Sequence, residues 1–274
     1  MHSQRILILG GSGTIGNALY KALNKYYDTY ATYYSNPNPF FEKNTKFYNF
    51  NFEKNIIENL VNELEPDVII SSLRGNFNGL ITLHQRLLPL VLKKRIRLFF
   101  LSSSNVFDSF YHYPSYELDK TFSESNYGRL KIQIENYIMR YLPEEHYAII
   151  RLPMIFGKGS YQLKIIKEHH QLQVPIEVFP NVIINATSLN RLTQQIHYLI
   201  NRNKKGIFHL GSNDVIHHND LIKGICDKLQ LKSIRFKQVY SSNTDRYLAV
   251  LSKYTPLPEH LQFKIDDVIA DCEK

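Results

Sequence analysis

Short apolar runs alternate with stretches in which apolar residues recur every three or four positions, and the alternation is regular as far as residue 152. Residues 5–10 read as a buried strand ending at Gly10. Further strands are expected at 29–34, 46–51, 68–72, 96–101 and 147–152. Helical spacing follows the first strand from Asn17 to Leu23. It returns at 53–64, with Ile56, Ile57, Leu60, Val61 and Leu64 on one side, and at about 80–94. A further helix at about 126–141 packs on Leu130, Ile134 and Ile138, with Pro143 past its end. Strand and helix in strict alternation predict an α/β fold, a Rossmann-type doubly wound parallel sheet. Beyond 152 the pattern weakens to strands at 182–185 and 206–210 and helices at about 188–201 and 218–229. The expected division is therefore a Rossmann domain over 1–152 and, over 153–274, mainly a small C-terminal lobe interleaved with the end of the sheet. No linker rich in Gly, Pro or Ser and no internal repeat interrupts the chain.

Composition narrows the class. The chain has 274 residues, 43% hydrophobic and 21% charged, which suits an ordinary globular protein able to bury a full core. Its two cysteines, Cys226 and Cys272, are too few for a disulfide framework and lack metal-ligand spacing, so a reducing cytoplasm is expected. The apolar run Ile6–Leu9 behind Met1-His2-Ser3-Gln4-Arg5 is too short for a membrane span or a signal peptide. A formal charge of +8 raises the question of nucleic acid. Its densest cluster, Lys93-Lys94-Arg95-Ile96-Arg97, falls where a helix should end, where cations complement the helix dipole, and no aromatic-lined basic stripe accompanies it. Neither nucleic acid nor membrane is expected as a partner. His169-His170 and His217-His218 lack cysteine or carboxylate neighbours at ligand spacing, which points to a solvated surface and no metal. The absence of a Gly-x-Ser-x-Gly elbow argues against a hydrolase.

Chemistry enters with Gly10-Gly11-Ser12-Gly13-Thr14-Ile15-Gly16, placed between a strand and a helix. There Gly10 permits the tight turn, Gly13 lets backbone approach a pyrophosphate, and Gly16 lets the helix pack close; the phosphates meet the helix N-terminus. At the end of the second strand stand Tyr33, Tyr34 and Ser35. No carboxylate there repels a 2′-phosphate and no arginine grips one, so the cofactor is expected to be NADP(H) or NAD(H), with NADP(H) favoured. Asn51 closes the third strand and either hydrogen-bonds an adenine or caps the following helix. The fifth strand runs into Ser102-Ser103-Ser104-Asn105-Val106-Phe107-Asp108, whose serines should face a ligand beyond the strand ends or else cap a turn. Tyr127 and Lys131 lie four residues apart on one predicted helix face, and an ammonium favours the phenolate, making Tyr127 a candidate general acid or base.

In this order and at these spacings the glycine motif, the serine after the fifth strand and Tyr127-x-x-x-Lys131 resemble the extended short-chain dehydrogenase/reductase superfamily. Within it the chain is most similar to the dTDP-4-dehydrorhamnose reductases and their relatives. Leu101–Asp108 resembles their serine/threonine-containing strand end, Ile149-Ile150-Arg151-Leu152-Pro153-Met154-Ile155-Phe156-Gly157 their arginine-containing segment, and Gly206–Leu210 a late strand. The resemblance implies that Ser103 polarises a substrate oxygen, that Tyr127 moves the proton, and that Lys131 lowers the tyrosine pKa and holds the nicotinamide ribose. It also places Thr14, Ile15, Ser72, Leu73, Arg74 and Leu152 at the cofactor and Ser104 and Asn105 at the substrate, a small molecule of the nucleotide-sugar class. The first domain is then the NAD(P)-binding one and the lobe binds substrate; a homodimer is allowed. Departures are Ser104-Asn105 in place of an acidic and an aromatic residue, Leu9 in place of threonine, and Ser71-Ser72-Leu73-Arg74-Gly75 in place of small apolar residues. The function expected is NAD(P)-dependent oxidoreduction of a sugar carbonyl or hydroxyl. Epimerase or dehydratase chemistry, with Glu117, Asp119 or Glu124 as extra acid, and a non-catalytic regulatory subunit, like the relatives that regulate methionine adenosyltransferase, are the alternatives.

Overall fold

The expected apolar runs become the strands of one central sheet in a computed structural model that describes residues 4–34, 38–109, 112–240 and 242–273. The chain proceeds through β1 (Arg5–Leu9), α1 (Thr14–Leu23), β2 (Asp28–Tyr33), α2 (Pro39–Lys43), β3 (Phe47–Asn49), α3 (Ile57–Leu64), β4 (Val68–Ser71), α4 (Phe77–Lys94) and β5 (Arg97–Ser103). After the helix α5 (Asn126–Tyr141) come β6 (Tyr147–Leu152), β7 (Met154–Phe156), α6 (Tyr161–Gln171), β8 (Ile176–Val178), β9 (Val182–Ile184), β10 (Ala186–Ser188) and α7 (Leu189–Asn201). The chain closes with β11 (Gly206–His209), β12 (Ile216–His217), α8 (His218–Lys228), β13 (Phe236–Gln238), β14 (Arg246–Leu248) and α9 (Ile265–Ala270). The sheet has seven strands in the order β11-β6-β5-β4-β1-β2-β3, and β1 pairs in parallel with both β2 and β4. The strand order therefore reverses between β1 and β4, and in open sheets of this kind ligands bind beyond the strand ends at that crevice. No helix among the described residues is long and apolar enough to cross a membrane.

Contacts divide the chain into two compact units, the first comprising Met1–Ser102, Leu130–Ile150 and His197–Ile207 and the second Ser103–Arg129, Arg151–Ile196 and Phe208–Lys274. In the first, Leu7, Leu9, Ile69, Leu98 and Phe100 from the sheet pack against Leu60, Leu83, Leu87, Ile134 and Ile138 of α3, α4 and α5. Each such side chain taken fully out of water contributes roughly 1.5–3 kcal/mol. In the second, Phe156, Leu163, Ile166, Val178, Ile184, Ile225 and Val268 form a separate core of short strands and helices.

Several boundaries move for local reasons. The first strand stops at Leu9 because Gly10 turns with φ +86°. The helix expected from 53 begins at Ile57, since the side-chain oxygen of Asn51 accepts from Glu53 N–H and its carbonyl accepts from Lys54 and Asn55. The helix expected near 80 begins at Phe77, with Asn76 capping Gly79 N–H. At its far end Arg95 adopts φ 55° and closes the helix, so the basic cluster sits at the helix terminus as expected. The helix α6, unforeseen from the pattern, is capped by Ser160 Oγ on Leu163 N–H. His218 is buried, not solvated: its Nδ1 accepts from Phe179 N–H, and its partner His217 bonds the Pro180 carbonyl.

Candidate active site

The glycine turn is fixed by its own backbone. Gly10 N–H donates to Thr32 Oγ1 at 2.9 Å, and its carbonyl accepts from Gly13 N–H at 3.1 Å. A Cβ on Gly16 would lie 2.2 Å from the Gly10 carbonyl oxygen, and one on Gly11 would lie 2.4 Å from Ala31 Cβ. Gly16 is thus required by the close approach of helix and turn; the need at Gly11, set by β2, was not read from the sequence. Gly13 caps α1 without any side-chain bond to the first amides, Thr14 is exposed and Ile15 half-buried. A helix start left uncovered, with its dipole pointing outward, suits an anionic group such as a pyrophosphate.

The other residues expected around a cofactor divide. Ser72 Oγ donates to Leu9 O at 2.9 Å and to Gly10 O at 3.3 Å, tying the end of β4 to the turn. Leu73 packs on the core, and Tyr34 and Arg74 are exposed. Asn51 is buried with its side-chain oxygen engaged in the turn that precedes α3. Leu152 is buried, and Ser35 lies outside the described residues.

Lys131 is held deep in the first unit. It is 4% exposed, donates to Leu101 O at 2.8 Å, and stands 4.6 Å from the centre of the Phe100 ring. Burial pushes its pKa down to about 8, the nearby Glu135 carboxylate opposes that, and the Arg74 cation adds to it. Glu135 is itself buried and accepts from Ser102 Oγ. On one side of this group His84 is fully enclosed, with Nδ1 on Leu80 O at 2.7 Å and Nε2 on Ser71 Oγ at 3.0 Å. Burial pushes its pKa down to about 4, so the imidazole is neutral.

Ser103 and Tyr127 belong to the second unit. Ser103 Oγ donates to Asn105 Oδ1 at 2.9 Å and accepts from Asn105 N–H at 3.2 Å, capping a 3-10 turn over Ser104–Phe107. Ser104 is buried, whereas Ser103, Asn105 and Tyr127 are half-buried. What brings Tyr127 to this turn is its neighbour: a Cβ on Gly128 would lie 2.3 Å from the Asn105 carbonyl oxygen and 2.0 Å from Ser123 Oγ. Only a glycine lets the first turn of α5 press against the segment that follows Ser103. Ser125 Oγ accepts from Gly128 N–H at 3.1 Å and starts the helix there. Tyr127 and Lys131 then stand one turn apart on α5.

The second unit also contains a buried ionic knot. The Glu117 carboxylate accepts from Ser252 Oγ at 2.6 Å, from Thr255 Oγ1 at 2.8 Å and from the amides of Lys253, Tyr254 and Thr255. Burial works against its charge, yet these donors win and hold its pKa near 2. Arg151, completely enclosed, donates to Glu117 O at 3.0 Å and to His209 Nε2 at 3.5 Å. Beside the knot is a cleft of about 400 Å³ lined by Tyr116, Gln195, His209, Lys253, Pro256 and Leu257.

Comparison with known proteins finds one family for this chain. Residues 85–254 match the family described as the RmlD substrate binding domain. No curated protein sequence matches significantly. Among solved structures, the dTDP-4-dehydrorhamnose reductase of Bacillus anthracis in complex with NADP is similar, with 18% identity, 100% of this chain and 98% of that one covered, and a TM-score of 0.79. The reductase of Yersinia enterocolitica is 20% identical over 98% of this chain and 99% of its own, with a TM-score of 0.77. The dTDP-glucose 4,6-dehydratase of Bacillus anthracis in complex with NAD is 14% identical over 98% and 95%, with a TM-score of 0.80. At these identities the structural likeness is one of fold. The family assignment rests on the match across residues 85–254, more than half of the sequence, and by it this chain belongs to the RmlD substrate binding domain family.

Proposed function

We propose that this protein is an NAD(P)-dependent oxidoreductase that interconverts a carbonyl and a hydroxyl on a nucleotide sugar. The observation that carries the reading is α5: Gly128 fits its start against Asn105, and Tyr127 and a buried Lys131 follow one turn apart. The glycine turn supports the cofactor, because Gly10, Gly13 and Gly16 leave a concave backbone and an uncapped helix start. Gly10, Gly13, Thr14, Ile15 and Gly16 would hold the pyrophosphate, and the absence of a carboxylate at Tyr33-Tyr34-Ser35, which would repel a 2′-phosphate, favours NADP(H). When bound, a nicotinamide supplies or accepts the hydride at the reacting sugar carbon.

Tyr127 delivers the proton to the carbonyl oxygen in reduction and removes it in oxidation. An ammonium one helical turn away favours the phenolate, and Lys131 provides it in a setting of low polarity where the effect is strong. Ser103 steadies the same oxygen with its hydroxyl, for which the bond to Asn105 Oδ1 must be exchanged when substrate binds. Buried Leu152 is assigned to the cofactor, and Ser104 and Asn105 to the substrate side. The first 152 residues are assigned chiefly to the cofactor, with Ser103, Ser104, Asn105 and Tyr127 facing the substrate, and most of the remainder to the sugar nucleotide.

Reduction is preferred over dehydration on a specific observation. Of the three acids that could serve a dehydratase, Asp119 and Glu124 are exposed, and the buried one, Glu117, is locked by its donors with a pKa near 2 and is unsuited to give up a proton at neutral pH. The test is a Tyr127→Phe variant assayed with NADPH and a panel of 4-keto and 4-hydroxy nucleotide sugars. Cofactor affinity should stay within about threefold while turnover falls by roughly 10²–10⁴. Turnover equal to that of the unaltered protein would remove Tyr127 from this role.

A further inference from the structure

Lys131 is buried with a carboxylate one helical turn further on, an unusual neighbour for a group that has to keep its charge in a dry place. Glu135 is 1% exposed, so it cannot serve as an ordinary surface partner, and it accepts a hydrogen bond from the buried Ser102 hydroxyl at the end of β5. The adjacent carbonyl, that of Leu101, receives the Lys131 ammonium at 2.8 Å. One stretch of strand, Leu101-Ser102, therefore grips both members of the helix pair, the lysine by its backbone and the glutamate by its side chain.

We infer that Glu135 is a positioning residue of this site: fixed by Ser102, it keeps Lys131 charged and aimed along α5. This rests on the proposed role of Tyr127 and Lys131 in an oxidoreductase. The physical need follows from what surrounds the ammonium. Burial disfavours it, and Arg74, the other ionic group beside it, repels it. His84, which like Lys131 lies against the Phe100 ring, is neutral and adds no counter-charge. The Glu135 carboxylate favours the charged form of Lys131, beside the Leu101 carbonyl that accepts from it. Uncompensated charge in a low-dielectric interior is costly, and the lysine would otherwise shed its proton or turn away.

The test is competitive acetylation of Lys131 as a function of pH, read by mass spectrometry on the folded protein, run beside NADPH titrations by nicotinamide fluorescence. In the unaltered protein the labelling midpoint should lie near pH 8. In Glu135→Gln it should fall by about one pH unit or more, because a stabilising negative charge is lost. Glu135→Asp should recover most of the shift, which a merely structural role would not produce. Ser102→Ala, which leaves the carboxylate but frees it, should lower the midpoint by a smaller amount and replaces Glu135→Gln if that variant does not fold. An unchanged midpoint in the variants overturns the inference. The NADPH arm separates the two claims: a protein that never binds NADPH but shows the labelling shifts loses the oxidoreductase reading and keeps the pair, whereas intact binding with unmoved midpoints loses Glu135 alone.

Discussion

Individual residues carry the cofactor claim most sharply at Gly16. A methyl group there would sit 2.2 Å from the Gly10 carbonyl oxygen, well inside contact distance, and the obstacle is backbone that cannot swing aside. Gly16→Ala is expected to lower stability by about 1–3 kcal/mol and to weaken NADPH binding at least about tenfold, measured by thermal melting and by fluorescence titration. Unaltered binding in a folded variant would detach the turn from the cofactor. Gly16 was legible in the sequence because a glycine three residues after another, at a strand-to-helix junction, has few other uses. Glu135 was not. Four residues beyond a lysine on a helix, it reads as a solvated i,i+4 pair, and only the packing of α5 against β5 reveals that both are buried.

Among the elements, α5 carries the proposed chemistry, and Gly128 fits its start against Asn105. Gly128→Ala is expected to displace the start of the helix from Asn105 and lower turnover by about 10²-fold or more, with a smaller effect on NADPH affinity, since the glycine turn is distant in sequence and separately fixed. Steady-state kinetics with the substrate found for the unaltered protein check this. The parallel strands and the large helices were readable because a strand buried on both faces needs an uninterrupted apolar run, as in Ile6-Leu7-Ile8-Leu9 and Val68-Ile69-Ile70. Of the later elements, β9, α7, β11 and α8 were readable, but β7, β8 and β10 were not, for they are three residues each. Such short strands leave no periodicity to detect, and α6 carries Lys164, Lys167, Glu168, His169 and His170 around only two buried side chains. The serines after β5 were legible as a group but not as individuals: Ser102 holds Glu135, Ser103 caps a turn, and Ser104 is buried.

For the molecule as a whole, burial of ionisable groups sets the response to acid. His84, His209 and His218 each have a pKa pushed down to about 4 by burial, with the Arg151 cation adding to the effect at His209. The unfolded chain takes up these protons near the ordinary histidine value of about 6.5 while the folded one does not. Their neutral burial therefore stabilises fully above that value, and the stabilisation is lost as pH falls from there toward 4. Glu117, held near 2, adds a second loss that starts only below the ordinary carboxylate value of about 4.3. The melting temperature is expected to drop by several degrees between pH 7.5 and pH 5, corresponding to on the order of 2–5 kcal/mol, while most carboxylates are still ionised. A melting temperature flat down to pH 5 would show that these histidines are not enclosed in solution.

All of these scales meet in the claim that the chain binds a nicotinamide dinucleotide on its glycine turn and uses Tyr127 and Lys131 upon it. The most direct measurement is a titration of the purified protein with NADPH and NADH, following nicotinamide fluorescence at neutral pH. Saturable binding with a dissociation constant of roughly 1 to 100 µM, tighter for NADPH, is the predicted result. No change in fluorescence with either nucleotide up to high micromolar concentration would contradict it.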